Sequence, residues 1–309
     1  MINFGICFSK EFVGTSPLSH VGKKLPVYLR LLEFCQKEGW ETHVLTRRTY
    51  KGDGIFEGCL IFKDGKFTQI NNRVKINIIY DRTGGAEFPP EGENINVVNN
   101  REFMLLCWNK WAAYRQIGKY MPKTLWLGKI TSKLEEVVKE IKTENVVIKP
   151  FNGLKGIDVF IGSKEEALVH KFNDKEYIAQ EFVDTSEGIT GVVNGMHDLR
   201  VAIINNKIVW SHIRIPPKGS YAANVAQGGT LKEIDIDRIP GSVKSVVKKI
   251  SEKFYAAYDN PAYSIDFGIE KGKAKVFEIN DTIGFPTWQM KSRDNFLKEL
   301  VNTFKSKLL

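Results

Sequence analysis

Cysteine is sparse in this chain and shows no metal-site spacing. Its four cysteines, Cys7, Cys35, Cys59 and Cys107, lie far apart, and none belongs to a CxxC pair. Zinc sites and redox motifs need such close pairs, and small secreted folds need a regular cysteine framework. The sequence therefore predicts neither, and we expect the protein to reside in the reducing cytoplasm.

Long apolar runs are also missing. No stretch approaches the roughly 20 apolar residues that a membrane-spanning helix requires. The first residues, 2–8, read as a buried strand and lack the basic segment and cleavage site of a secretory signal. We therefore expect no secretion signal and no membrane partner.

The composition is that of an ordinary globular protein with an excess of positive charge. The 309 residues are 42% hydrophobic and 26% charged, which suits two or three domains with sizeable cores. The net charge is +9, but the lysines and arginines are scattered and many neighbour glutamates. A nucleic-acid partner is therefore not favoured, and anionic small molecules explain the charge equally well.

Hydrophobic periodicity predicts an α/β (α+β) fold. A strand over 2–8 is followed by a helix that Pro26 begins and Gly39 ends. Further elements are strands at 40–46, 59–62, 67–70, 74–80, 145–150, 177–183, 198–205, 207–214, 263–269 and 275–280, and helices at 101–116 and 241–258. Two capping boxes, Ser132-x-x-Glu135 and Ser163-x-x-Glu166, predict two more helix starts.

The late strand pair carries three oxygen ligands. Glu278 and Asn280 are two residues apart and project on one side of a strand, with Phe277 and Ile279 facing the core. A tight hairpin through residues 270–273 would bring Asp266 opposite them. Two carboxylates and an amide suit a hard cation such as Mg²⁺. The alternative is a solvated acidic hairpin.

A lysine and two arginines suggest a phosphate site. Lys149 ends a strand and is followed by a loop, 151–159, whose glycines would let backbone amides approach an anion; an ordinary hairpin loop is the alternative. The loop matches neither a Walker A motif nor a Rossmann fingerprint. Arg200 and Arg214 fall on paired strands and could clamp a phosphoryl group, or form a basic sheet edge.

Two further segments are candidates for ligand contacts. The strand over 177–183 suits an adenine slot with backbone donors and acceptors at its rim, or plain core. The segment 80–85 ends a strand, and its Arg82 could anchor a carboxylate or form a structural pair with Asp81.

Taken in order, these pieces resemble the ATP-grasp enzymes, and most nearly the glutathione synthetase and RimK-type amino-acid ligases. The resemblance covers about residues 99–290. Its motifs are Asn109-Lys110, Pro122-x-Thr124, Val146-Val-Ile-Lys149-Pro150, Ala179-Gln-Glu181-Phe-Val, Asp198-Leu-Arg200, Asn224 with Gly228-Gly229, and Asp266 with Glu278-x-Asn280.

The resemblance implies an ATP-grasp fold in three parts, with the nucleotide held between two sheets. These parts are a pre-ATP-grasp domain over 1–98, a central region over 99–184 with a flap subdomain at about 125–184, and a catalytic domain over 185–309. The cofactors it implies are ATP and two Mg²⁺ ions, with Mn²⁺ as an alternative. The partners it implies are a small-molecule or peptide carboxylate and an amine, and possible homo-oligomers.

The resemblance also implies a role for each matching residue. Arg200, Arg214 and Asn224 would be catalytic, Asp266, Glu278 and Asn280 would bind the metals, and Arg82, Gly228 and Gly229 would bind substrate. The residues implied for ATP are Lys110, Lys149, Gly153, Lys155, Gly156, Glu181, Phe182, Val183, Asp184 and Glu187.

The implied reaction is amide formation through an acyl phosphate. An ATP-grasp kinase shares the same machinery and is the first alternative, and a basic nucleic-acid-binding protein with a non-catalytic ATP-grasp fold is the second. The chain departs from RimK-type sequences at Ala222 and Gln227, where basic residues are usual, and at residues 281–284, which replace Ser-Pro-Gly. Those positions shape the acceptor pocket, so the substrate stays open.

Overall fold

Three β-sheets organise the computed structural model, which describes residues 1–9, 18–85, 88–130, 133–153, 156–221, 223 and 228–309. Within those residues no helix is both long and apolar enough to cross a membrane. The three sheets follow one another along the chain.

The first sheet is mixed and has six strands in the order β4-β3-β2-β1-β5-β6. Its centre is parallel: β1 pairs with β2 on one side and with β5 on the other, while β3 and β4 form an antiparallel hairpin. The elements are β1 Asn3–Phe8, α1 Leu25–Lys37, β2 Glu41–Thr46, β3 Ile55–Lys63, β4 Lys66–Lys75, β5 Ile78–Arg82 and β6 Val97–Val98.

The hairpin is longer than the sequence predicts. Residues 74 and 75 belong to β4 and not to the next strand, so the predicted strand over 74–80 is wrong in its first half. Antiparallel pairing of Phe56 with Val74 and of Ile55 with Lys75 extends the hairpin. Ladder hydrogen bonds to a neighbouring strand thus override the local apolar pattern.

The second sheet is antiparallel, with four strands in the order β7-β10-β8-β9. Ser163 and Glu166 cap α5 reciprocally, which confirms that capping box. Ser132 lies outside the described residues. The elements are β7 Thr124–Lys129, α4 Leu134–Glu140, β8 Asn145–Pro150, β9 Phe160–Ser163, α5 Lys164–Val169 and β10 Glu176–Glu181.

The third sheet is antiparallel, with five strands in the order β13-β12-β11-β14-β15. The predicted hairpin over 263–280 is confirmed as β14 and β15. The elements are β11 Asp198–Ile204, β12 Lys207–Ile215, β13 Thr230–Glu233, α6 Gly241–Ala257, β14 Tyr263–Glu270, β15 Lys273–Asn280 and α7 Arg293–Ser306.

The helix predicted over 101–116 is two helices, α2 Arg101–Trp108 and α3 Lys110–Ile117. Asn109 breaks it with an extended backbone, φ −96° and ψ 97°, and its side chain accepts a hydrogen bond from the Ala112 amide at 2.9 Å. Asparagine stabilises a helix start in this way, which the apolar periodicity does not reveal. The break exposes the Lys110 amide, which donates to the Phe151 carbonyl at 2.8 Å.

The two faces of the third sheet have different partners. Leu199, Val201 and Ile265 point to one face and pack in a core with α2, α3 and α6. On the other face, Ala202 and Trp210 pack in a core with α1, α7 and the first sheet. Because side chains alternate along a strand, the polar residues 198, 200, 212, 214 and 266 share this second face.

Candidate functional site

A cleft between the second and third sheets holds a cavity of about 350 Å³. It is apolar on one side and highly charged on the other. Its lining residues are Val147, Lys149, Gly156, Val159, Ile161, Gln180, Glu181, Phe182, Val183, Thr185, Met196, His197, Asp198, Arg214, Tyr221, Ala223, Asp266, Phe277 and Glu278.

Lys149 connects the two walls of this cavity. It is 7% exposed, and its Nζ donates to Gln180 Oε1 at 2.9 Å within the second sheet and to the Phe277 carbonyl at 3.2 Å on the third. Burial, with a smaller contribution from the nearby Lys110, lowers the pKa of Lys149 to about 8, against the charges of Glu278 and Asp266, which raise it. The two predicted lysines therefore lie close together, and Lys149 lies near the hairpin carboxylate Glu278; Lys110 does not line the cavity.

Lys110 is held at the mouth of the glycine loop. Its Nζ donates to the Gly153 carbonyl at 2.8 Å, and Asn109 forms an isolated bridge with Asn152. Gly156, with φ +71°, lines the cavity. This positive φ is one that glycine adopts without strain. Lys155 lies outside the described residues.

The hairpin brings Asp266 opposite Glu278 in the β14–β15 register, as the tight turn through residues 270–273 predicts. A β-bulge follows Asp266, because Phe267 pairs with Val276 and leaves Phe277 as the extra residue. The prediction that Phe277 faces the core is therefore wrong: Phe277 lines the cavity beside Glu278. Ile279 is buried in the core as predicted.

Asp266 is the centre of a buried ion-pair network. Its Oδ1 accepts from Arg200 Nε at 2.6 Å, and its Oδ2 accepts from Arg200 at 2.6 Å and from Arg214 at 2.7 Å. Arg214 also donates to Asp198, its partner across the strands. Asn280 contributes a long contact from Nδ2 to Asp266 Oδ2 of 3.5 Å. Neither Arg200, which pairs with Asp266 across the strands, nor Asn280, which pairs with Ser264, lines the cavity.

The network sets its two carboxylates apart in pKa. Burial raises the pKa of Asp266, but the two guanidinium groups outweigh it and hold that pKa well below its usual range. Burial and the charge of Asp266 raise the pKa of Asp198 to about 7, against the effect of Arg214. Asp266 is therefore a permanent anion at neutral pH, whereas Asp198 is partly protonated.

Only some of the residues at 181–187 that the resemblance implies for ATP line the cavity. Val183 is buried in the cavity wall, and the Phe182 ring meets Tyr221 edge-on at 5.1 Å. Glu181 accepts from the Lys142 amide at 3.4 Å. Asp184 caps the Ser186 amide at 2.9 Å, and neither Asp184 nor Glu187 lines the cavity.

Three predicted substrate residues lie away from the cavity. Arg82 Nε donates to the Tyr28 hydroxyl at 3.1 Å and its Nη1 to the Ile283 carbonyl at 2.8 Å, so it joins the first sheet to the segment after β15. Gly228, with φ +92°, and Gly229 precede β13 and are absent from the lining. Asn224 lies outside the described residues, as do Ala222 and Gln227.

The structure adds lining residues that the motifs did not single out for the site. Gln180 anchors Lys149, and Thr185 clamps the backbone of His197 through two hydrogen bonds of 3.0 and 3.1 Å. Burial lowers the pKa of His197, so it is neutral at pH 7. Strand alternation could have indicated that Gln180 faces the cavity, because it is two residues before Phe182. The hydrogen bonds between Thr185 and His197 join two loops, and no sequence periodicity indicates them.

The donor set suits a hard divalent cation. Glu278 faces the cavity and makes no hydrogen bond or ion pair with the described residues, and Asp198 Oδ1 is buried without a hydrogen-bond partner among them. Both lie beside the ionised Asp266. Oxygen donors of this kind, with neither histidine nor cysteine as a ligand, are the type that Mg²⁺ prefers. Among the described residues, no three or more carboxylate, histidine or cysteine side chains are grouped so as to hold a metal ion by themselves.

Comparisons with known proteins point to one family. A family model described as "RimK-like ATP-grasp domain" matches residues 109–304. A "Probable alpha-L-glutamate ligase" from Pasteurella multocida (strain Pm70) is 25% identical over 210 residues, which cover 63% of this chain and 59% of that protein. The chain thus spans about three fifths of the length of this relative.

Solved structures show the same fold. D-alanine–D-alanine ligase from Bacillus anthracis complexed with ATP superposes with a TM-score of 0.64 at 14% identity, covering 100% of this chain and 98% of that one. A RimK domain ATP-grasp protein from Sphaerobacter thermophilus gives 0.58 at 12% identity, covering 99% and 97%. The ATP-grasp fold predicted from the motif order is confirmed.

Proposed function

This chain belongs to the RimK-like ATP-grasp family, and we propose that it is an ATP- and Mg²⁺-dependent carboxylate–amine ligase acting on an amino acid or peptide. The observation that carries the proposal is the position of Lys149. Its ammonium group donates hydrogen bonds to Gln180 on one side of the cleft and to the Phe277 carbonyl on the other. The charges of Glu278, Lys110 and Asp266 act on its pKa. Lys149, the proposed phosphate ligand, therefore lines the same cavity as Asp266 and Glu278, the proposed metal ligands.

ATP would lie between the sheets. Lys110 and Lys149 would bind its phosphates, and the loop that carries Gly153 and Gly156 would cover them. The apolar part of the lining, with Phe182 and Val183, suits the adenine ring. Asp184 and Glu187, which do not line the cavity, would contact the ribose only at its rim.

Asp266, Glu278 and Asn280 would hold the metal, with Asp198 as an added oxygen donor. Mg²⁺ held there would neutralise the charge of the phosphates. Arg200 fixes Asp266 through two hydrogen bonds of 2.6 Å, so the carboxylate is oriented before any ligand arrives. Arg214 lines the cavity and can reach the transferred phosphoryl group.

The reaction follows from the weakness of a carboxylate as an acylating agent. A carboxylate oxygen attacks the γ-phosphorus of ATP, the bond from that phosphorus to the bridging oxygen breaks, and ADP leaves. An amine nitrogen then attacks the acyl carbon, phosphate departs with the carbon–oxygen bonding electrons, and the nitrogen loses its extra proton. Phosphoryl transfer depends mainly on positioning and charge neutralisation, which these residues provide. Exclusion of water protects the acyl phosphate.

The test is incubation with ATP, Mg²⁺ and pools of amino acids or short peptides, followed by mass spectrometry. We expect ADP, free phosphate and a new amide. A stable phosphorylated product would instead indicate a kinase. If the protein binds ATP but no pool gives ATP turnover above background, the proposal that it is a ligase is wrong.

A further inference from the structure

A row of buried polar side chains crosses the second sheet. Thr124 on β7, Gln180 on β10 and Lys149 on β8 are all buried. Thr124 lies opposite Gln180 in the β7–β10 register, and Gln180 lies opposite Val147, two residues before Lys149. Opposite and diagonal neighbours on one face of a sheet are within side-chain reach of each other. The register of three adjacent strands therefore brings a hydroxyl, an amide and an ammonium group together.

Three hydrogen bonds join this row from end to end. Thr124 Oγ1 donates to the Pro122 carbonyl at 3.0 Å. Gln180 Nε2 donates to the Thr124 hydroxyl oxygen at 2.8 Å, and Lys149 Nζ donates to Gln180 Oε1 at 2.9 Å. We call the Pro122 carbonyl and the side chains of Thr124, Gln180 and Lys149 the Thr124 relay.

The two ends of the Thr124 relay fix the direction of every hydrogen bond in it. A carbonyl can only accept, and an ammonium group can only donate. The Thr124 hydroxyl donates its single hydrogen to the Pro122 carbonyl, so its oxygen can only accept from Gln180. Gln180 must therefore turn its NH₂ group towards Thr124 and its oxygen towards Lys149. The opposite orientation of the amide would set an N–H group against the ammonium.

The described residues leave one N–H group of Lys149 without an acceptor. An ammonium group has three hydrogens; Gln180 Oε1 accepts one, and the Phe277 carbonyl accepts another at 3.2 Å. Both acceptors are uncharged, so neither neutralises the cation. Because a buried donor without a partner is costly and Lys149 lines the cavity, an anion in the cavity is the favoured third partner.

We propose that Thr124 is a positioning residue: through the Gln180 amide, its hydroxyl fixes the Lys149 ammonium so that the remaining N–H group meets an anion in the cavity. That this anion is a phosphate of ATP rests on the proposed function. The role gives a function to the Pro122-x-Thr124 motif, since neither of its two named residues lines the cavity.

Calorimetric titration of the full-length protein with ATP and Mg²⁺ tests this role. Thr124→Val removes the hydroxyl and keeps the shape of the side chain, so ATP affinity should fall about five- to tenfold, the effect of one hydrogen bond. Thr124→Ser keeps the hydroxyl and loses the methyl group, so affinity should stay within about twofold. The proposal is wrong if the valine variant keeps wild-type affinity, or if the serine variant loses as much.

Thr42→Val is the matched control. Thr42 on β2 is also buried, donates to the Phe62 carbonyl at 2.9 Å and accepts from Gln36 Nε2 at 3.1 Å. These groups belong to the first sheet, and Thr42 does not line the cavity. The control should therefore lower the thermal stability as Thr124→Val does, and leave ATP affinity within about twofold. An equal loss of affinity in both variants would overturn the proposal.

A double-mutant cycle shows whether Thr124 acts through Lys149. In a Lys149→Met background, Thr124→Val should cause no further loss of ATP affinity, because the group that it positions is gone. A further loss as large as in the wild type would contradict the proposal. Gln180→Met, which removes both ends of the amide, decides the case if the valine variant does not fold: it should lose affinity at least as strongly, and wild-type affinity would overturn the role.

Amine labelling without ATP separates this inference from the proposed function. Trace acetylation at pH 8 is read at Lys149 by peptide mass spectrometry against exposed Lys248. Thr124→Val should speed the labelling of Lys149 at least about threefold, because the ammonium loses its fixed acceptor. Thr124→Ser should not. Equal rates in the valine variant and the wild type would overturn the inference. A wild-type protein that binds no ATP but shows this labelling order would refute only the proposed function.

Discussion

The two walls of the cleft are built in opposite ways. The wall from the second sheet presents Lys149 among apolar side chains, and its ammonium has two uncharged partners, Gln180 and the Phe277 carbonyl. The wall from the third sheet presents Asp266, whose oxygens are both bonded to arginines. The carboxylate wall is therefore organised before ligands bind, whereas the lysine wall holds a cation that gains a charged partner only when an anion enters.

The first prediction separates the two carboxylates of the third sheet and has the largest expected effect. Asp266→Asn removes the charge that two buried arginines share, so turnover should fall by roughly a thousandfold or more. The variant should also lose about 3 kcal/mol of unfolding free energy, because breaking a buried pair leaves uncompensated charge. Activity assays and urea unfolding measure both.

Glu278→Gln is the matched control for stability. Glu278 makes no hydrogen bond or ion pair with the described residues, so this variant should lose turnover to a similar extent and keep its unfolding free energy within about 0.5 kcal/mol. If both variants are equally destabilised, or if either keeps wild-type activity, the carboxylate wall does not work as described.

The second prediction concerns the lysine wall. Lys149→Met replaces a buried ammonium of lowered pKa with an apolar chain of similar length. ATP affinity should fall about 10- to 100-fold, the loss of a charge-assisted hydrogen bond, while stability stays equal or rises. Calorimetric ATP titration and thermal unfolding provide the readouts. A large loss of stability with unchanged affinity would show that Lys149 is a structural residue.

The third prediction uses pH to distinguish the walls. The pKa of Lys149 in the folded chain, about 8, is below its unfolded value of 10.5. The unfolded state therefore binds more protons between these values, and wild-type stability should gain a contribution as pH rises from 8 to 10.5. Lys149→Met should lack this gain. The difference between the unfolding free energies of the wild type and the variant, followed as a function of pH, isolates the contribution of Lys149. If the two free energies run parallel from pH 7 to 10.5, the pKa of Lys149 is not lowered.

Much of the site was predictable because it lies on strands. Alternation with a period of two puts Glu278 and Asn280 on one side of β15, and the tight hairpin turn brings Asp266 opposite Glu278. The orientation of Phe277 was not predictable, since one bulge reverses it. The anchoring of Arg82 by the Ile283 carbonyl, 201 residues away, depends on domain packing that no local pattern encodes. The partial protonation of Asp198 likewise arises only from burial beside Asp266.

The fourth prediction has the smallest expected effect and tests the rim of the cleft. Glu187 is exposed and does not line the cavity. Glu187→Ala should therefore change ATP affinity less than about twofold, within the range of surface substitutions. Val183→Asn, in the buried wall, is the contrasting variant and should weaken ATP binding more. A tenfold loss from Glu187→Ala would restore this residue as the ribose contact that the family resemblance implies.

Oxygen transfer from substrate to phosphate tests the central claim most directly. The wild-type protein is supplied with ATP, Mg²⁺ and amino acids or peptides whose carboxylates carry ¹⁸O, and the released phosphate is examined by mass spectrometry. Activation through an acyl phosphate predicts that phosphate released with each new amide contains one ¹⁸O from the carboxylate. Unlabelled phosphate accompanying amide formation would contradict the account.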